Sequence, residues 1–111
     1  MIDSGATGNF FDITLARTLG ILSTEKYLPE PVRAVDGSEL SSGLITHQTQ
    51  ELTMICDNGH SELINFDLID TPLFGAILGV PWLQIHNPQI DWLKRLVTLN
   101  SSYCFHSCYS E

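Results

Sequence analysis

The chain has 111 residues, 43% of them hydrophobic, which is enough for one small domain with a limited core. Thirteen acidic residues against five basic ones leave a net charge of −8 with histidine neutral, which argues against a phosphate-backbone binder, since that needs clustered Lys and Arg. No apolar run approaches the roughly eighteen residues of a membrane span, and no basic stretch followed by an apolar run opens the chain, so the expected setting is intracellular, in the cytoplasm, without membrane contact.

In chain order, residues 9–20 read as a helix, with Phe11, Leu15 and Leu19 on one face. Asn9 is the expected cap, with Asp12 three residues on, and Gly20 followed by Ile21 is the expected stop. YLPEP (27–31) breaks the pattern. PVRAV, Asp36-Gly37 and SELSSGLIT then read as a hairpin with a tight turn. QELTMIC, the turn Asp57-Asn58-Gly59-His60 and SELINFDLI read as a second hairpin, with Ile64, Phe66 and Leu68 expected on the core side. Phe74 to Leu83 is apolar but interrupted by Gly75, Gly79 and Pro81, which suits a buried strand ending at a glycine and then a short helical turn. Asn87-Pro88 marks a turn, and IDW and LVTL supply one or two further strands. The fold class is mostly β with one or two short helices.

Cys56, Cys104 and Cys108 make an odd set that suggests no disulfide framework. YCFHSCYSE brings Cys104, His106 and Cys108 close in sequence, but C-x-H-x-C is not a usual zinc spacing and a fourth ligand is not evident, so no metal is expected there. Residues 100–111 are expected to be a tail, with an Asn100-Ser101-Ser102 sequon that matters only in a secreted chain. His47, His60, His86 and His106 form no spaced cluster, sit beside polar or turn residues, and are expected at the surface. Trp82 and Trp92 are expected to serve core or interface packing. No Ser lies in a G-x-S-x-G context, which argues against a serine hydrolase.

Two short stretches carry the chemistry: I-D-S-G-A-T at 2–7 and A-I-L-G at 76–79, separated by both hairpins. Alone, an Asp-Ser-Gly triplet is most often a solvated turn. The ordered set IDSGATGNFFD (2–12), LARTLGI (15–21), VRAVDGSELSSGLITHQTQELT (32–53) and AILGVPWLQIHNPQIDW (76–92) resembles the retropepsin-like aspartic proteases. It is most similar to the protease segment of Ty3/gypsy-type retrotransposon polyproteins and of their retrotransposon-derived Gag-like relatives, over about residues 1–92.

The resemblance implies a small closed β-barrel of the acid-protease fold over residues 1–99. In that family one or two strands precede the DSG loop, whereas only Met1 and Ile2 precede Asp3 here, so the domain is expected to be N-terminally truncated with that strand missing. It also implies peptide hydrolysis by two carboxylates that share a proton, the ionised one acting as base toward a water and the protonated one polarising the scissile carbonyl. The chain holds one DSG, so the implied enzyme is a homodimer acting on a polypeptide, with Asp3 from each copy and no cofactor. Ser4 would lock the two loops across the axis, and Gly5 would allow close backbone approach. Val35, Asp36 and Gly37 would form the flap. Ala6, Leu73, Ile77, Leu78 and Gly79 would line the substrate pocket or buttress the loop. The alternative is an inactive or domesticated relic of the same fold that acts in self-association or protein binding.

Overall fold

The computed structural model describes residues 1–33, 39–56 and 59–109, with the backbone alone for 31–33 and 39–43. The described chain runs β1 (Phe10–Asp12), α1 (Ile13–Thr18), β2 (Ser23–Arg33), β3 (Glu39–Thr49), β4 (Leu52–Ile55), β5 (Ser61–Ile64), β6 (Asp67–Ile69), β7 (Ala76–Ile77), α2 (Val80–His86), β8 (Gln89–Asp91), β9 (Leu96–Thr98) and α3 (Ser102–Ser107). It is mostly β, as the sequence leads one to expect. Strand pairing gives a five-stranded sheet in the order β2-β3-β6-β1-β7 and two separate ribbons, β4-β5 and β8-β9. Among the described residues this pairing does not join the strands into the closed barrel expected. No described helix is long and apolar enough to cross a membrane.

The first helix is shorter than the apolar spacing predicts, and the reason lies in the sheet. Phe10 and Phe11 are drawn into β1, which pairs in parallel with β6 and antiparallel with β7. Successive strand residues face opposite sides. Phe10 therefore packs with Ala6, Ile45, Ile69 and Ile77, while Phe11 packs against a second cluster built on Ile64, Phe66 and Trp82. The tandem phenylalanines seed two cores, one on each side of the strand. Full burial of Ile69, the most enclosed apolar side chain, is worth about 1.5–3 kcal/mol.

Helix α1 then starts at Ile13, with Asp12 as its cap in place of Asn9. One carboxylate oxygen of Asp12 accepts from Leu15 N–H (3.0 Å) and the other from Thr71 N–H (2.9 Å). The stop falls where the sequence puts it. Gly20 sits at φ +73°, Ile21 N–H donates to Ala16 O (2.9 Å) and Gly20 N–H to Arg17 O (3.1 Å), the paired bonds of a Schellman turn. The buried helical residue is Ala16, whereas Leu19 is largely exposed.

YLPEP does not end the regular structure as expected, because β2 runs through it. Pro29 has no N–H to donate, and the β2–β3 ladder shifts register between Glu25 and Glu30. Lys26 braces this strand against β6 by an ion pair to Asp67 (2.7 Å). The second hairpin forms as β4–β5, with Ile64 and Phe66 inward. The alternation stops there, because SELINFDLI is two strands. Asn65 and Phe66 lie between them, and in β6 Ile69 is fully buried while Leu68 is only half-buried. Thr49, fully buried, stitches this break through its backbone and hydroxyl to Phe66.

Asp12 serves two backbone donors from two segments, so its replacement tests how much this junction holds. Asp12→Ala is expected to lower stability by about 2 kcal/mol, from the lost cap and the orphaned Thr71 N–H, and Asp12→Asn by about half of that. Urea unfolding monitored by circular dichroism measures both values.

Candidate active site

Asp3, Ser4 and Gly5 lie in a turn that the chain's own backbone organises. Gly5 N–H donates to the Asp3 carboxylate (2.9 Å) and Ala6 N–H to Asp3 O (3.1 Å), so the triplet closes on itself as an Asx turn. This fixes one carboxylate oxygen of Asp3 and leaves the half-buried group at the surface of the loop.

The segment 76–79 passes beside this turn and ties to it on both sides. Met1 N donates to Ala76 O (2.9 Å), Leu78 N–H to Met1 O (2.7 Å) and Asp3 N–H to Leu78 O (2.8 Å). Ile2 and Leu78 form a parallel bridge. Beyond the turn, Val80 N–H donates to Ala6 O (2.9 Å) and Gly79 N–H to the Asn9 side-chain carbonyl (2.9 Å). Asn9, predicted as a helix cap, is spent here instead. A β-carbon at Gly79 would lie 2.1 Å from Gly8 O and 2.6 Å from Ala6 O, both backbone atoms with nowhere to move. Glycine is the residue that permits this approach.

Of the other predicted site residues, Ala6 and Ile77 are buried in the first core and Leu78 packs against the second. Leu73 is exposed and takes no part in this crossing. Val35, Asp36 and Gly37 lie outside the described residues. A cleft of about 360 Å³ opens beside the turn. Ile2, Asp3 and Ser4 line it together with Leu83 of α2 and residues of the β8–β9 ribbon, Trp92, Arg95 and Val97 among them. Trp92, expected in core or interface packing, is 78% exposed and so is not core, and Leu93, Leu96 and Val97 are exposed as well.

Two of the histidines expected at the surface are core residues. His60 is 0% and His86 2% exposed, and they meet Cys104 of α3 and Cys108, its C-cap. Burial, and then the neighbouring His86, lowers the His60 pKa below the ordinary value. Burial, and then Cys104, pushes the Cys108 thiol up to about 11. His47 and His106 are exposed, as expected. Residues 102–107, expected to be tail, form a helix capped by the Ser101 hydroxyl on Cys104 N–H. No sequence spacing announces the four-residue cluster, because its members come from three separate segments.

The crossing at Gly79 can be broken by one methyl group. Gly79→Ala is expected to cost about 3 kcal/mol or more, since two carbonyl oxygens must be displaced together. Gly20→Ala, where a β-carbon meets nothing within 4 Å and only the positive φ is strained, is expected to cost about 1 kcal/mol. Chemical denaturation of the two variants gives the comparison.

A family model described as the PEG10/RTL1 protease domain matches residues 1–108, which extends past residue 92, where the motif resemblance stops, to include α3. The chain belongs to this family of retrotransposon-derived, retropepsin-like protease domains.

Proposed function

We propose that the chain is an aspartic endopeptidase whose catalytic pair is completed by a second copy of itself. The observation that carries this reading is the Asp3-Ser4-Gly5 turn, seated by backbone bonds to Leu78 and Ala6 at the edge of a cleft, in a chain of a protease-domain family. One Asp of this kind cannot both activate a water and donate a proton to the carbonyl, so the chemistry asks for two.

The exposed apolar residues of the β8–β9 ribbon support the second copy. Trp92, Leu93, Leu96 and Val97 are exposed, and Trp92 and Val97 line the Asp3 cleft. A two-stranded ribbon is weak alone, and clustered exposed apolar side chains mark interaction surfaces. In the proposed dimer the two Asp3 turns meet at the axis and Ser4 of each copy bonds across it.

In the proposed dimer, the two Asp3 carboxylates hold one proton between them, because charges at such close range cannot both ionise. The ionised carboxylate takes a proton from a bound water as the water oxygen attacks the scissile carbonyl carbon. The protonated carboxyl donates its hydrogen to the carbonyl oxygen. As the C–N bond of the resulting gem-diol breaks, the protonated carboxyl gives its hydrogen to the leaving nitrogen and one diol hydroxyl returns its proton to the ionised carboxylate, which leaves the dyad singly protonated again. The pair titrates as a unit, so its pH profile belongs to the dimer. Val35, Asp36 and Gly37 are assigned to the flap that excludes water from this chemistry.

A peptide-library cleavage assay between about pH 4 and 7 tests the reading, with oligomeric state followed by sedimentation. Asp3→Asn keeps the oxygen that accepts from Gly5 N–H while removing the acid–base function. It is expected to lower kcat/KM by about 10³-fold or more with the circular dichroism spectrum unchanged. Cleavage persisting in that variant rules out Asp3 as the catalytic group. A folded, dimeric wild-type chain with no cleavage at any pH favours the domesticated, protein-binding alternative.

A further inference from the structure

We propose that the chain carries a structural zinc site of the His2Cys2 type, with His60, His86, Cys104 and Cys108 as ligands, independent of the Asp3 site. All four side chains are buried, and their ligating atoms lie within 4.8 Å of one another. They come from the residue before β5, the end of α2, and two positions one turn apart on and just after α3.

The geometry of His86 assigns its atoms. Its Nε2 lies 2.9 Å from a carboxylate oxygen of Glu62, which can only accept, so Nε2 carries the hydrogen and donates. That leaves the Nδ1 lone pair aimed into the cluster, 3.3 Å from Cys104 Sγ and 3.9 Å from Cys108 Sγ. With Zn–N near 2.0 Å and Zn–S near 2.3 Å, the N···S edge of a tetrahedral site is about 3.5 Å, between those two distances. A carboxylate on the far nitrogen of a ligating histidine is the usual outer support of a zinc site. Here Glu62 is itself held by Trp82 Nε1–H (3.2 Å), and the Trp82 ring lies over the His86 ring with centroids 4.5 Å apart.

His60 supplies a separate argument. Its side chain is fully buried, yet neither ring nitrogen has a hydrogen-bond partner among the described residues. A buried unpaired polar group costs free energy and calls for an explanation. A metal bond to one nitrogen removes half of that deficit. The backbone already holds His60 toward the sulfurs. His60 bridges antiparallel to Tyr109, and Ser61 N–H donates to Cys108 O (2.6 Å).

The donor set selects the ion. Two thiolates and two imidazoles in a closed, buried tetrahedron suit zinc, and four protein ligands leave no open position for a catalytic water. As the two S–Zn bonds form, each thiol releases its proton, and the ion with two thiolates and two neutral imidazoles carries no net charge, which suits burial. No redox change is involved. The site pins α3 to the end of α2, whose first residue follows Gly79 directly, so it braces the far end of the helix that leaves the Asp3 crossing.

Metal analysis of the full chain, purified under reducing conditions, is the first test, followed by replacement with Co²⁺ and zinc-edge X-ray absorption. The expected result is about one zinc per chain, tetrahedral d–d bands with thiolate-to-cobalt charge transfer, and two sulfur and two nitrogen neighbours. Chelator is expected to lower Tm by about 10 °C or more. Cys104→Ala and His60→Ala should lose the metal, whereas His106→Ala should keep it, because His106 is exposed and its Nδ1 lies against Ser102 O. If Cys104→Ala or His60→Ala fails to fold, the cobalt and X-ray signatures of the wild type decide. No bound zinc, no thiolate-to-cobalt band, or loss of zinc in His106→Ala with retention in His60→Ala overturns the proposal.

Discussion

At Gly79 the chain passes so close to the carbonyls of Ala6 and Gly8 that no β-carbon fits, and the placement of the Asp3 turn follows from that approach. Residues 76–78 pair with Met1 to Asp3 on one side, and residues 79–80 bond Asn9 and Ala6 on the other. The turn is thus gripped on both flanks by one short segment. A loop held in this way keeps a carboxylate in place without a long hydrogen-bond network, which on the proposed reading matters because small displacements of a catalytic group cost large factors in rate.

The same segment divides the interior. Phe10 and Ile77 belong to one core, and Phe11 and Ala76 to the other, so β1 and β7 form a partition with apolar packing on both faces. Such a partition cannot slide by one residue without exchanging the two sets of side chains between the cores. The register that places Ile2 against Leu78 is therefore fixed by packing at some distance from it. Asp12 closes the partition at its far end by capping α1 and receiving Thr71.

Helix α2 carries this rigidity onward. It begins right after Gly79, contributes Trp82 to the second core and Leu83 to the cleft beside Asp3, and ends at His86 in the His60–Cys104–Cys108 cluster. On the proposed reading, seven residues connect a dimeric catalytic turn to a metal-braced corner. The chemistry of the two ends is distinct. The turn needs a half-exposed carboxylate that can meet a partner, whereas the corner encloses all its ligating groups.

The DSG triplet, the glycine after Ile77-Leu78, the Gly20 stop and the second hairpin were legible because each depends on local backbone chemistry or on apolar alternation within a few residues. The sequence by itself determined that the chain is mostly β and which family it resembles, since motif and order survive without coordinates. Only the tertiary structure decided that Phe10 and Phe11 serve a strand and not a helix, because pairing to β6 and β7 outweighs a helical apolar spacing that propensity alone supports weakly. It likewise decided that Asn9 holds Gly79, and that His60 and His86 are buried with two cysteines from the last helix. Those partners lie 70 residues apart in one case and 18 or more in the other, and no periodicity in the sequence encodes contacts of that range.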